Sequence, residues 1–160
     1  MSKIHTEEQF ESAIEAHLLA NGYSALPKDG YDIERAFFPT QVIGFIRETQ
    51  AEELKRIETM LGDKTDETLL KDLNFWLNSQ GMLPVLRNGF KCHGRTFRVC
   101  FFKPAHGMNP TLESQYGANR LSVTRQLRYS SKNSNELDLV LSINGLPVIT
   151  AELKNPMTGQ

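Results

Sequence analysis

Apolar residues recur four apart in the opening stretch, at Phe10, Ile14 and Leu18, which is the spacing of one helix face. Thr6, followed by Glu7 and Glu8, reads as the cap of that helix, because carboxylates favour the positive end of the dipole. Asn21-Gly22 supplies the stop, since glycine accepts the left-handed backbone after a helix. Residues 24–40 carry Pro27, Asp29-Gly30 and Pro39 and are expected as loop. A second helix is predicted over about 47–61, ending at Gly62. A third is predicted from Thr65, as N-cap, through Leu69, Leu70, Leu73, Trp76 and Leu77 to Gly81.

Beyond Gly81 the period shortens towards two. Arg95–Phe102 is β-branched and aromatic and predicts a strand, followed by a loop at Pro104, Gly107 and Asn109-Pro110. Between Arg120 and Tyr129, apolar Leu121, Val123, Leu127 and Tyr129 alternate with polar neighbours, predicting a further strand. The polar stretch 130–135 connects it to the most organised segment. There Leu137–Ile143 is apolar but for Asp138 and Ser142, Asn144-Gly145 is a hairpin signal, and Val148–Lys154 is the return strand, ended by Asn155-Pro156. Neither a repeat nor a low-complexity tract interrupts this order. The pattern predicts a mixed α/β (α+β) fold, helices first and then a sheet, as one domain over residues 1–160.

Composition adds exclusions. No apolar run approaches the roughly 18 residues of a membrane span, and the N-terminus has no apolar stretch of signal-peptide type, so a cytoplasmic protein without membrane contact is expected. Cys92 and Cys100 make no disulfide framework, and His93 beside Cys92 is not spaced as a zinc set, so both thiols are expected reduced, on or near a strand. Charge is segregated: residues 1–72 carry 15 acids against 8 bases, while residues 73–135 carry 9 bases and a single acid, Glu113. Either the basic middle offers a face to a polyanion, or the acidic helices pack on it and neutralise it.

An acid inside an apolar strand needs a partner, and this hairpin has two, Asp138 and Glu152. Side chains alternate along a strand, so Glu152 and Lys154 share one face. Asp138 joins them only if the register is odd. A two-residue turn at Asn144 would oppose Glu152 to Leu137 and send Asp138 to the other face, whereas a three-residue loop or a bulge opposes Asp138 to Glu152. Given that convergence, two carboxylates and a main-chain carbonyl, that of Leu153, make a hard oxygen site suited to Mg²⁺. Lys154 then reaches the pocket as a positioning and charge-offsetting amine. Without it, the pattern is a surface hairpin with a weak Glu-Lys pair.

The run LDLVLSINGLPVITAELKNPMTGQ resembles the nuclease motif of type I restriction subunits, within the PD-(D/E)xK phosphodiesterase group, and the likeness extends through ANRLSVTRQLRYS, FKPAHGMNP and FESAIEAHLLANGY. The resemblance implies a restriction-endonuclease-like mixed sheet flanked by helices, and Mg²⁺-dependent cleavage of DNA phosphodiester bonds by the nuclease domain of a restriction (R) subunit. It also implies work beside methylation (M) and specificity (S) subunits on double-stranded DNA. By carry-over, Asp138 and Glu152 are similar to the metal-binding acids and Lys154 to the catalytic lysine. A first-helix acid often joins such sites; Glu11, in FESAI, is the better placed and Glu15 the other, and a solvated acidic face is the alternative for both. Arg120, Arg125 and Arg128, with Gln126 and Tyr129, stand in the segment that resembles the family closely; the arginines are expected either to touch DNA phosphates or to pair with the acidic N-terminal helices. Leu137 stands where the motif's name has proline. The family pattern implies a further helix with Gln and Tyr and a last core strand after the Glu-x-Lys strand, whereas the chain stops at Gln160, so a truncated N-terminal piece is expected. With no GxxxxGK[ST] loop, ATP would enter only through the motor domains of the parent subunit. The competing reading is a non-catalytic module that binds DNA or docks into the complex.

Overall fold

α1 (Glu7–Ala20) forms where the fourfold spacing predicts it, and Gly22 follows it with a positive φ of 92°. What the helix buries is different: Phe10 is 54% exposed, Ile14 and Leu18 are half-buried, and the buried residue is Glu11. The computed structural model describes residues 7–154, so the predicted Thr6 cap and the Asn155-Pro156 stop lie outside the described residues. The described chain groups into two compact units, residues 7–37 with 120–154, and residues 38–119.

The first unit is a sheet with α1. β1 (Tyr23–Ala25), β4 (Leu121–Arg128), β5 (Glu136–Ile143) and β6 (Leu146–Ala151) lie in the order β1-β4-β5-β6, the first pair parallel and the others antiparallel. β1 falls inside the stretch expected as loop. Three residues are too few to show an alternation, and the partner, with Tyr23 opposite Leu121, stands far along the chain. Val123, Leu127, Leu139, Val140 and Leu146 are buried. The β5–β6 turn is the two-residue one: Asn144 (φ 51°) and Gly145 (φ 87°) both take positive φ, as the type I′ geometry requires, and Ile143 faces Leu146. Asn144 also exchanges bonds with Arg120: its Oδ1 accepts from the Arg120 amide at 2.7 Å and its amide donates to the Arg120 carbonyl at 2.8 Å. Pro147 is tolerated because β6 is the edge strand.

The second unit is helical with one small hairpin. The helix predicted over 47–61 is two helices, α2 (Pro39–Thr49) and α3 (Ala51–Leu61). Pro39, read as a loop signal, opens α2, a place where its missing N–H costs nothing. The break falls at Gln50, whose amide side chain clamps Arg98: Nε2 donates to the Arg98 carbonyl at 2.8 Å and Oε1 accepts from its N–H at 2.6 Å. α4 (Thr65–Gln80) matches the third predicted helix, except that Lys64 is the cap and Thr65 the first helical residue. α5 (Met82–Asn88) was not foreseen. The strand expected over 95–102 shortens to β3 (Arg95–Phe97), paired antiparallel with an unforeseen β2 (Phe90–Cys92) around His93-Gly94. α6 (Pro110–Gly117) begins at the last residue of the expected loop, its cap being Asn109, whose Oδ1 accepts from the Thr111 and Leu112 amides. Val42, Phe45, Ile46, Leu54, Ile57, Leu69, Leu73, Val85, Phe90 and Phe97 fill this unit's core.

Both cysteines are free and buried. Burial first, then a hydrogen bond that the thiol donates to Asp72 and the negative charge of Asp72, push the Cys92 thiol from 9.0 up to about 12. Its folded value lies above its unfolded one, so the stability it contributes is complete below about pH 9 and is lost as pH rises towards 12. We expect the stability gap between wild type and Cys92→Ala, followed by denaturant titration, to narrow over that window. A gap that stays flat to pH 12 contradicts the expectation.

Candidate functional site

β5 and β6 begin their pairing in the unfavourable register and then correct it. From the turn outward Ile143 faces Leu146 and Ser142 faces Pro147; beyond a register shift, Leu141 faces Ile149, Val140 faces Thr150 and Leu139 faces Ala151. Val148 is the extra residue, a β-bulge on an edge strand that presents half-exposed Val148 and Ile149 to the outside. The ladder ends at that last pair; its next step would set Asp138 opposite Glu152, the position that the two-residue turn alone would have denied it.

Around Asp138 the structure builds a pocket of about 340 Å³, lined by Glu7, Glu8, Glu11, Arg125, Gln126, Asp138 and Leu153. Asp138 Oδ2 accepts from the Leu153 amide at 2.6 Å, which ties the segment after β6 to β5. Asp138 Oδ1 lies 3.5 Å from Gln126 Nε2. The same Gln126 amide nitrogen donates to Glu11 Oε2 at 3.0 Å, and Arg125 Nε donates to Glu11 Oε1 at 2.8 Å. Arg125 also donates from Nη1 to Glu15 Oε2 at 3.0 Å. Glu11 is only 5% exposed, and these two donors account for its burial: a carboxylate leaves water cheaply only when paired. The Glu11 hydrogen bond, with Glu15 adding to it, raises the Arg125 pKa against the opposing effect of burial, so Arg125 stays a cation.

The sequence-predicted residues therefore divide. Asp138, Glu11 and Leu153 line one pocket, though Leu153 contributes its N–H to Asp138 where its carbonyl was expected to be the useful atom. Glu152 and Lys154 are exposed and follow the last residue of β6; neither lines the pocket. Glu15 reaches the cluster through Arg125. Of the arginines, Arg125 pairs with the first-helix acids, the second of its two expected roles. Arg128 is exposed and turns back on the β4–β5 connection, donating from Nε to the Ser130 and Asn133 carbonyls. Arg120 is exposed, and its main chain is held by Asn144. Tyr129 is 42% exposed.

The donors available here are carboxylate and main-chain oxygens, without thiolate or imidazole, which is the set that magnesium takes. Among the described residues no three His, Cys, Asp or Glu side chains stand close enough to hold an ion. A cation would rest on one or two carboxylates with water completing its shell, an arrangement ordinary for magnesium. The donor chemistry fits.

Sequence reasoning named Arg125, with pairing to the acidic N-terminal helices as one of its two expected roles, and named Gln126 without giving it one. One signal was available: Arg125 stands in the phase of Val123 and Leu127, where an apolar residue would be expected. Nothing local marks Gln126.

A family model described as Type I restriction enzyme R protein N terminus matches residues 4–160. No curated protein and no solved structure gave a match.

Proposed function

Because this chain belongs to the family of type I restriction enzyme R protein N-termini, we propose that it is a magnesium-dependent DNA endonuclease whose site is built on the β5–β6 hairpin. The observation that carries the reading is the Val148 bulge. An edge strand of the described sheet with a regular two-residue turn gains nothing for its own pairing from a one-residue shift, yet the shifted ladder, Leu139 facing Ala151 at its end, has the parity that would set Asp138 level with Glu152.

Asp138 is held by the Leu153 N–H and linked to Glu11 through Gln126, and in this reading Glu152, exposed just beyond β6, serves as the second acid. Magnesium, when bound there, supplies a Lewis acid for the scissile phosphate and an acidified water as nucleophile. Lys154, two residues past Glu152 on the same arm, orients the attacking water and offsets charge developing on the phosphoryl oxygens. Exposed Arg120 and Arg128 meet backbone phosphates, which positions the duplex without reading its sequence, while Arg125 is reserved for the acids beneath. Recognition and ATP-driven translocation then belong to the methylation and specificity subunits and to the motor of the R subunit.

The test is nicking of supercoiled plasmid by the chain with Mg²⁺ or Mn²⁺, alongside Lys154→Ala. We expect metal-dependent nicking, lowered about 10²–10³-fold in the variant, the usual loss when one charge-stabilising donor is removed. Retention of DNA with no cleavage by any sample would reject the nuclease in favour of a binding or docking module. That outcome is compatible with the exposed positions of Glu152 and Lys154.

A further inference from the structure

Consecutive residues of a strand point to opposite faces, yet Arg125 and Gln126 both bond the same carboxylate, one to each oxygen of Glu11. The backbone explains how. Gln126 has a φ of 49°, left-handed in a residue that has no intrinsic reason to be so. The β4–β5 ladder pairs Arg125 with Leu139 and Leu127 with Leu137 and leaves out the Gln126–Asp138 pair between them. The Gln126 carbonyl released by that gap accepts instead from Lys28 Nζ at 3.2 Å. One residue of β4 is thus turned out of register, and its amide nitrogen ends between two carboxylates from α1 and β5, 3.0 Å from Glu11 and 3.5 Å from Asp138.

We infer that Gln126 is a positioning residue: its carboxamide holds the Glu11 and Asp138 carboxylates at a fixed separation, and the backbone strain at this position exists to aim it. The inference rests on the reading of the pocket as a divalent-cation site. Two carboxylates facing one pocket repel, and a donor between them keeps both aimed inward before any cation arrives, as partners of ligands generally do. A neutral amide suits the task better than a second arginine, because it orients the acids without adding a charge that competes with the cation. Arg125, by contrast, satisfies the other oxygen of Glu11 and Glu15 from one side.

Glycine separates the side chain's work from the backbone's. Gln126→Gly accepts positive φ without strain while deleting the donor. In the whole chain, we expect Gln126→Gly to melt within a few degrees of wild type by circular dichroism, because relief of the positive-φ backbone offsets much of the hydrogen bond that Glu11 loses. It should bind Mn²⁺ about 10–100-fold more weakly by calorimetric titration, the loss typical of a ligand's supporting partner. Asp138→Asn, run in parallel, reports on the site itself. If wild type binds Mn²⁺ in a manner that Asp138→Asn removes, yet Gln126→Gly binds as wild type does, Gln126 is no positioning residue and the site reading stands. A Gln126→Gly melt well below wild type also overturns the inference, since the turned-out backbone would then serve the fold. Mn²⁺ binding that is absent, or indifferent to Asp138→Asn, removes the cation site and this inference with it.

Discussion

Asp138→Asn should leave the chain folded and reduce metal-dependent nicking by about 10³-fold or more, equivalent to roughly 4 kcal/mol of transition-state stabilisation. Two features make asparagine the informative substitution. Its carboxamide oxygen can still accept from the Leu153 N–H, now bonded to Asp138 Oδ2 at 2.6 Å, so the segment after β6 keeps its anchor. The change removes one negative charge from a pocket that already holds Glu7, Glu8 and Glu11, which relieves repulsion. Thermal stability should accordingly be unchanged or slightly raised, while the hard anionic oxygen that the cation requires is gone. Asp138→Ala removes charge and anchor together, and should add a measurable loss of stability to the loss of cleavage. Wild-type nicking rates in the asparagine variant would show that Asp138 does not hold the cation, and the hairpin would lose its central acid.

Glu11→Ala should act on both stability and activity. It strands two donors, Arg125 Nε and Gln126 Nε2, that a 5%-exposed carboxylate now satisfies. Breaking a fully buried ion pair costs about 3–5 kcal/mol, but the Arg125 side chain is 29% exposed and keeps Glu15, so about 2 kcal/mol is the reasonable expectation. Cleavage should fall with it, by about 10–100-fold, because Asp138 loses the companion that Gln126 links to it. Chemical denaturation and plasmid nicking measure the two effects separately. Glu15→Ala, whose carboxylate meets only Arg125 among the bonds of this cluster, should show little of either. Equal losses in the two variants would mean that the acids merely neutralise Arg125 and that Glu11 has no special place.

Much of the hairpin was legible because its determinants are local. Asn144-Gly145 marks the turn, and the apolar run from Leu137 to Ile143 marks its own strand. The helices with clean stops, α1 before Gly22 and α4 before Gly81, were equally plain. The misses share a different cause. β1 and β2 are three residues each, too short for a period to emerge, and they exist through their partner strands. The break between α2 and α3 depends on Gln50 finding Arg98, a contact that no window around residue 50 contains.

The site divides along the same line. By itself the sequence determined which acids flank the Asn144-Gly145 turn, that Lys154 stands two residues beyond Glu152, and that Glu11 lies on the first helix. Only the tertiary structure decided that Val148 bulges and so shifts the β5–β6 register by one residue, that Gln126 turns left-handed, and that Glu11, and neither Phe10 nor Ile14, is the residue α1 buries. Turn and strand preferences arise from sterics within a few residues, so composition and order reveal them. Register and burial are settled by which distant groups satisfy one another once water is excluded, and for a buried carboxylate that means finding its donors more than a hundred residues away.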